Sequence, residues 1–162
     1  MRAPVLSTAI IAAALLAGCA SPASMKPDQS TMTDVRARSG TPTDIRFDKN
    51  GEELWEYATG PAGYQTFLVR FGADARVKSV TQLITQERLM RVDPGRMTKA
   101  EVRDLLGRPS DEAFTMSGTV WSWRFYDGAQ TGYLAVSFNP DNTVKERMVL
   151  LDPSDGGSSR DR

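Results

Sequence analysis

The chain has 162 residues, room for one ordinary domain or two very small ones, and its apolar (40%) and charged (25%) shares are those of a globular protein. Twenty Lys and Arg balance twenty Asp and Glu, so no net field draws the chain to nucleic acid and no basic run marks a polyanion site. With no histidine and a single cysteine, it lacks the commonest general base, the commonest metal ligand and any Cys/His zinc site.

The first element is an apolar run, Pro4 to Leu16, behind Arg2. It is shorter than the ~20 apolar residues that span a bilayer and has the form of a secretory signal. It ends in Leu16-Ala17-Gly18-Cys19, with the sole cysteine last. This resembles a bacterial lipoprotein signal, which implies cleavage of residues 1–18 and acylation of Cys19. Several acyl chains, at about 0.8 kcal/mol per buried CH₂, would hold the protein on a membrane. Ala20 and Ser21 follow, where lipoproteins kept at the inner membrane often have Asp, so the resemblance implies the outer membrane, with the protein facing the periplasm. Residues 19–29, with two prolines and few large apolar side chains, read as a flexible tether.

The first unit is expected over residues 30–84. Thr31, Asp34, Val35, Gly40 and Pro42 outline a short capped helix. A strand ending near Phe47 and the turn pair Asn50-Gly51 lead into a second strand, Leu54 to Ala58, with Trp55 and Tyr57 on one face. Strands from Thr66 to Phe71 and Arg76 to Leu83 complete the unit. Thr85 to Val92 reads as a further short helix, broken by Asp93-Pro94-Gly95.

The second unit, expected over residues 85–151, carries a stronger helix. Thr98 and Glu101 form a capping box, Met97 and Val102 a hydrophobic staple, and Val102, Leu105 and Leu106 one apolar stripe. Gly107 stops this helix and Pro109 prevents its continuation. Strands then end near Phe114 and run over Val120 to Tyr126, Tyr133 to Phe138 and Thr143 to Leu151. The two units echo one another at an offset of 67 residues: Thr31 with Thr98, Gly40 with Gly107, Phe67, Val69 and Phe71 with Leu134, Val136 and Phe138. One residue lost after Gly118 aligns Trp55 and Tyr57 with Trp121 and Trp123. This is a duplication. Short loops between strands imply antiparallel meanders. The fold class is therefore α+β: two tandem repeats, each a short helical segment packed on an antiparallel meander. Arg38 and Ser39 stand where the second helix has Leu105 and Leu106, so the first copy is the weaker. Asp152 to Arg162 has no large apolar residue and reads as a disordered tail.

Pro94, Gly95, Met97, Thr98, Val102, Leu106, Gly107 and Pro109, followed by Trp121 and Trp123, resemble the pattern of the small outer-membrane lipoproteins of the BamE (SmpA/OmlA) type. The tandem arrangement is similar to that of β-lactamase inhibitory proteins. The first resemblance implies a protein-binding role in β-barrel assembly or envelope maintenance, with the barrel-assembly machinery as the candidate partner and a lipid anchor as the membrane contact. The second implies an alternative, an inhibitor or modulator of a periplasmic enzyme.

Nothing in the residues converges on a reacting atom, so no catalytic residue, metal site or cofactor is assigned. Trp55, Tyr57, Trp121, Trp123 and Phe125 alternate with the inward face and read as core. The opposite faces are then the candidate partner surface: Arg124, Tyr126, Tyr133 and Ser137 in the second unit, Glu56 and Arg70 in the first. A mixture of Arg and Tyr on an open sheet suits a modest protein interface.

Overall fold

The computed structural model describes residues 21–59, 63–126 and 128–152. The signal segment 1–18, Cys19 and the tail beyond Asp152 lie outside the described residues, as do the centre of the first long loop (60–62) and Asp127.

The first unit contains helix α1 (Met32–Ser39) and strands β1 (Asp44–Phe47), β2 (Glu53–Thr59), β3 (Gln65–Phe71) and β4 (Val77–Gln82). The second contains helices α2 (Gln86–Met90) and α3 (Lys99–Leu106) and strands β5 (Asp111–Thr115), β6 (Gly118–Tyr126), β7 (Thr131–Phe138) and β8 (Val144–Leu151). The strands form two separate antiparallel meanders, ordered β1-β2-β3-β4 and β5-β6-β7-β8. Element for element, this is the tandem α+β arrangement expected from the sequence.

The duplication extends to fine geometry. Both main helices carry a complete capping box, Thr31 with Asp34 and Thr98 with Glu101. Both stop at a glycine in the left-handed region, Gly40 at φ 77° and Gly107 at φ 78°. Both third strands lose register at the same place, between Arg70 and Phe71 and between Ser137 and Phe138. Loops that hold the helices match too: Met32 N–H donates to Ala75 C=O and Lys99 N–H to Asn142 C=O.

Each sheet packs its inner face on its own helices. In the second unit Leu89, Val92, Val102, Leu105 and Leu106 meet Trp121, Trp123, Phe125, Leu134, Val136 and Phe138. Trp123 donates through Nε1 to Gly107 C=O at 3.2 Å, which pins the helix end to the second strand of the sheet. In the first unit Val35 is the only buried residue of α1. The two leucines missing there would have contributed roughly 1.5–3 kcal/mol each on burial. Part of that cover comes from upstream. Met25, 4% exposed, joins the first core beside Trp55, Tyr57, Phe67, Val69 and Phe71. Asp28 N–H donates to Val77 C=O at 2.8 Å, and a 3-10 turn spans Pro22–Ser24. This corrects the expected tether: residues 22–29 belong to the folded unit, because the weak helix leaves apolar sheet surface that Met25 covers.

The units are joined by more than the chain. Leu83 and Ile84, which follow β4, are both buried, and Ile84 lies within the second core. Helix α3 turns its apolar stripe to its own sheet, while its other side, through Arg103 and Asp104, meets the outer face of the first sheet. A helical layer thus lies between the two sheets.

Candidate functional site

Alternation along β6 and β7 settles which side chains face out. Trp121, Trp123 and Phe125 are buried, and the residues between them project to the other face of the sheet. Strand pairing sets Arg124 opposite Tyr133, Tyr126 opposite Thr131, and Val120 opposite Ser137. Arg124, Tyr126, Tyr133 and Ser137 therefore share one outward face. The Arg124 guanidinium lies over the Tyr133 ring, 4.9 Å from its centroid. This stacking holds the cation flat without neutralising it. Tyr126 is 56% exposed and its hydroxyl donates to Gly128 C=O at 2.8 Å. Two residues outside the sequence reading complete the face: Met148, opposite Ala135, and Leu150, opposite Tyr133, each nearly half exposed. Because β8 ends in four consecutive apolar residues, Met148 to Leu151, its sequence has no alternation from which to assign a face.

The two first-unit residues behave differently. Glu56 was expected on an open face, yet it is 1% exposed. It does project from the face opposite Trp55, but the second unit covers that spot. Its carboxylate accepts from Arg46 Nε at 3.1 Å, Arg103 Nη1 at 2.5 Å and the Arg108 backbone N–H at 2.8 Å. Arg103 also reaches Asp44, and Arg46 also reaches Asp104. Gly107 is required beside it, since a Cβ there would come within 2.8 Å of Leu83 Cδ1 and 3.1 Å of Glu56 Oε2. A buried carboxylate with three donors is a joint between units and not a docking residue. Arg70 is likewise engaged. It pairs with Asp48 and with Glu52 at 2.9 Å, and Lys78 joins Glu52 at 2.5 Å. These contacts fasten the β1–β2 turn to the sheet. Hydrogen bonds from Lys78 and then Arg70 hold the Glu52 carboxyl below its ordinary range.

A cleft of about 350 Å³ opens between the units, lined by Glu56, Trp123, Arg108 and Arg124 among others. Burial pushes the Tyr57 phenol up to about 12, against the opposing pull of Arg36. Among the described residues, no group of three or more His, Cys, Asp or Glu could hold a metal ion. No helix among them is long and apolar enough to cross a membrane.

Residues 82–148 match the family model described as "Outer membrane protein assembly factor BamE domain". The second unit matches the BamE domain family. The match begins just before α2 and ends within β8, so it takes in both helices and nearly the whole second sheet. The BamE resemblance read from Pro94 to Trp123 thus falls on the unit that carries the open face. No curated protein matches the chain. Among solved structures, a DUF4309 family protein (YjgB) from Bacillus subtilis subsp. subtilis str. 168 is similar at 16% identity, covering 80% of this chain and 83% of that one with a TM-score of 0.30.

Proposed function

We propose that the protein is a lipid-anchored, periplasm-facing protein of the outer membrane that binds another envelope protein and catalyses nothing. Its task on this reading is accessory, in β-barrel assembly or envelope maintenance, and its partner is the barrel-assembly machinery. The observation that carries the proposal is the BamE-domain match over residues 82–148. The open outer face of that same unit supports it, with Arg124, Tyr126 and Tyr133 presenting the residue types that protein interfaces favour. Cys19, at the end of an apolar run and alone of its kind, supplies the anchor. The inhibitor reading, which used the duplicated sheets as one surface, finds less support because Arg103 of α3 and the Arg108 N–H just beyond it occupy Glu56 on the first sheet's outer face.

Two measurements test the proposal. Cys19→Ala should move the protein from the membrane fraction to the soluble periplasm. A Cys19→Ala protein that stays fully membrane-bound removes the anchor from the model. Crosslinking in intact cells should recover barrel-assembly components with the wild-type chain and lose them with Arg124→Glu. Recovery of one soluble periplasmic enzyme in their place would overturn the assembly role.

A further inference from the structure

Strand β8 is the last in its sheet, with β7 on one side and, among the described residues, no strand paired on the other. Its backbone alternation is fixed by Asp152 N–H, which donates to Thr131 C=O at 2.9 Å just beyond the Gly132–Leu151 pair. Residues 146, 148 and 150 therefore turn their backbone groups to β7, and Arg147, Val149 and Leu151 turn theirs away. Val144, beyond the register shift, has its own edge groups taken by Gly95 N–H and Met97 C=O. The free edge is thus Arg147 to Leu151. Its side chains are apolar where it matters: Met148 is 46% exposed, Val149 45%, Leu150 47% and Leu151 50%. An exposed apolar edge of this kind is a template for another strand.

The first unit shows what covers such an end. At the offset of 67 residues Leu150 and Leu151 correspond to Leu83 and Ile84, which are 0% and 6% exposed beneath the second unit. In the first copy a further copy of the same domain buries this position; in the second none follows in the described chain. The chain's own tail is a poor cover, since Pro153 to Arg162 offers no large apolar side chain and begins with a residue that has no N–H.

We propose that β8 pairs antiparallel with β8 of a second copy about a two-fold axis at Val149, joining the two second-unit sheets into one. That register sets Val149 opposite Val149 and Arg147 opposite Leu151, so all three outward-facing residues exchange hydrogen bonds with outward-facing residues. It also sets Met148 opposite Leu150, apolar on apolar, on the outer face. The Arg147 guanidinium is held by Met90 C=O and Val92 C=O of its own chain, and an axis at Arg147 would set Glu146 against Met148 and Lys145 against Val149. An axis at Met148 or Leu150 would leave charged or proline positions against the apolar run. The Val149 register has one unfavourable pair, Glu146 opposite Asp152. The contact is closed and isologous, as dimer interfaces commonly are. A ladder of three residue pairs falls well short of the ~1,200 Å² of a stable standard interface. Confinement to a membrane raises the effective concentration enough for such a contact to form. In that respect the inference rests on the anchored reading above. Its consequence for that reading is that two outer faces, each with Arg124 and Tyr133, become neighbours on one continuous sheet.

The test is a single-cysteine scan in membranes carrying the full chain. Across a two-fold at Val149 the two Cα atoms lie about 5.5 Å apart, inside the span a disulfide bridges. Val149→Cys should form a covalent dimer under mild oxidation, whereas Arg147→Cys and Leu151→Cys should not. Wild-type chain, with Cys19 alone, controls for background. On the Val149→Cys chain, Glu146→Lys places opposite charges at the one unfavourable pair and should raise the dimer yield by roughly threefold; Leu150→Lys should lower it by as much. Equal yields at 147, 149 and 151, a yield blind to Glu146→Lys, or crosslinking of position 149 to a different polypeptide would each overturn the pairing. Should Cys19→Ala remain membrane-bound, the anchor fails while the position-specific crosslink at 149 still decides the pairing.

Discussion

Replacing Glu56 should uncouple the two units. The carboxylate is 1% exposed and accepts from Arg46, Arg103 and the Arg108 N–H. Breaking a buried ion pair by deleting one partner costs about 3–5 kcal/mol, because the remaining charge is left without compensation. Here the stranded arginines keep Asp104 and Asp44, and their side chains are 19% and 20% exposed. The cost of Glu56→Ala should therefore fall toward the lower end, about 3 kcal/mol. Glu56→Gln keeps one acceptor oxygen and the shape, so roughly half that loss is expected. For a chain of this size 3 kcal/mol corresponds to a fall in Tm of roughly 6–12 °C. Thermal unfolding followed by circular dichroism and by tryptophan fluorescence measures it, and the two probes should diverge in Glu56→Ala as the units melt apart. A double-mutant cycle with Arg103→Met should give a coupling above about 1 kcal/mol. If Glu56→Ala costs less than ~0.5 kcal/mol, as an exposed substitution would, or the cycle is additive, the joint described above does not hold the units.

Among the described residues Trp121 Nε1 is buried without a hydrogen-bond partner, whereas its counterpart Trp55 donates to Glu53 Oε1 at 2.6 Å. Two residues before Trp121 stands Thr119, so Thr119→Glu should supply the missing acceptor and raise stability by about 1 kcal/mol, read from urea unfolding. Unchanged stability would mean that the orphaned indole is not what limits the site. Gly107→Ala should cost more than the ~1 kcal/mol of an ordinary left-handed glycine, because the new methyl also meets Leu83 and Glu56; a smaller loss would refute the tight contact. Leu106→Ala, at a fully buried position, should cost about 2–5 kcal/mol, and Val35→Ala in the weaker helix less, as compared by chemical denaturation. Backbone and then hydroxyl hydrogen bonds from Thr98 hold the Glu101 carboxyl below its ordinary range, and Thr31 does the same for Asp34. Each folded value lies below the unfolded one, so their contribution is present at neutral pH and is lost as pH falls through the carboxylate range. Glu101→Gln should weaken the acid dependence of stability, and an unaltered profile would exclude this capping group as its source.

Much of the fold was legible because the determinants are local. Capping boxes, left-handed glycines, turn pairs and alternating aromatics each act within a few residues, and the 67-residue echo let one unit vouch for the other. Arg124, Tyr126, Tyr133 and Ser137 share a face because strand alternation alone puts them there. Glu56 was misplaced for a reason no local pattern carries: its neighbours Arg103 and Arg108 come from the other unit, about fifty residues along. A buried acid in mid-strand, between Trp55 and Tyr57, looks the same in sequence as a solvated one. Met25 was missed similarly, since a methionine among prolines and serines gives no periodic signal of docking. Met148 and Leu150 escaped because an edge strand that is apolar on both faces has no period to read.

The helical layer between the sheets bears on binding stoichiometry. A duplicated domain would ordinarily offer two equivalent faces and hence two partners per chain. Here the second unit's helix spends its charged side on the first sheet, through Arg103 and Asp104. On the proposed binding role, this contact takes Asp44, Arg46 and Glu56 of the first sheet out of competition for a partner. The first unit then acts as a pedestal for the second, and the expected stoichiometry is one partner on the second unit's face per chain, which a titration of the purified protein against its partner would read directly.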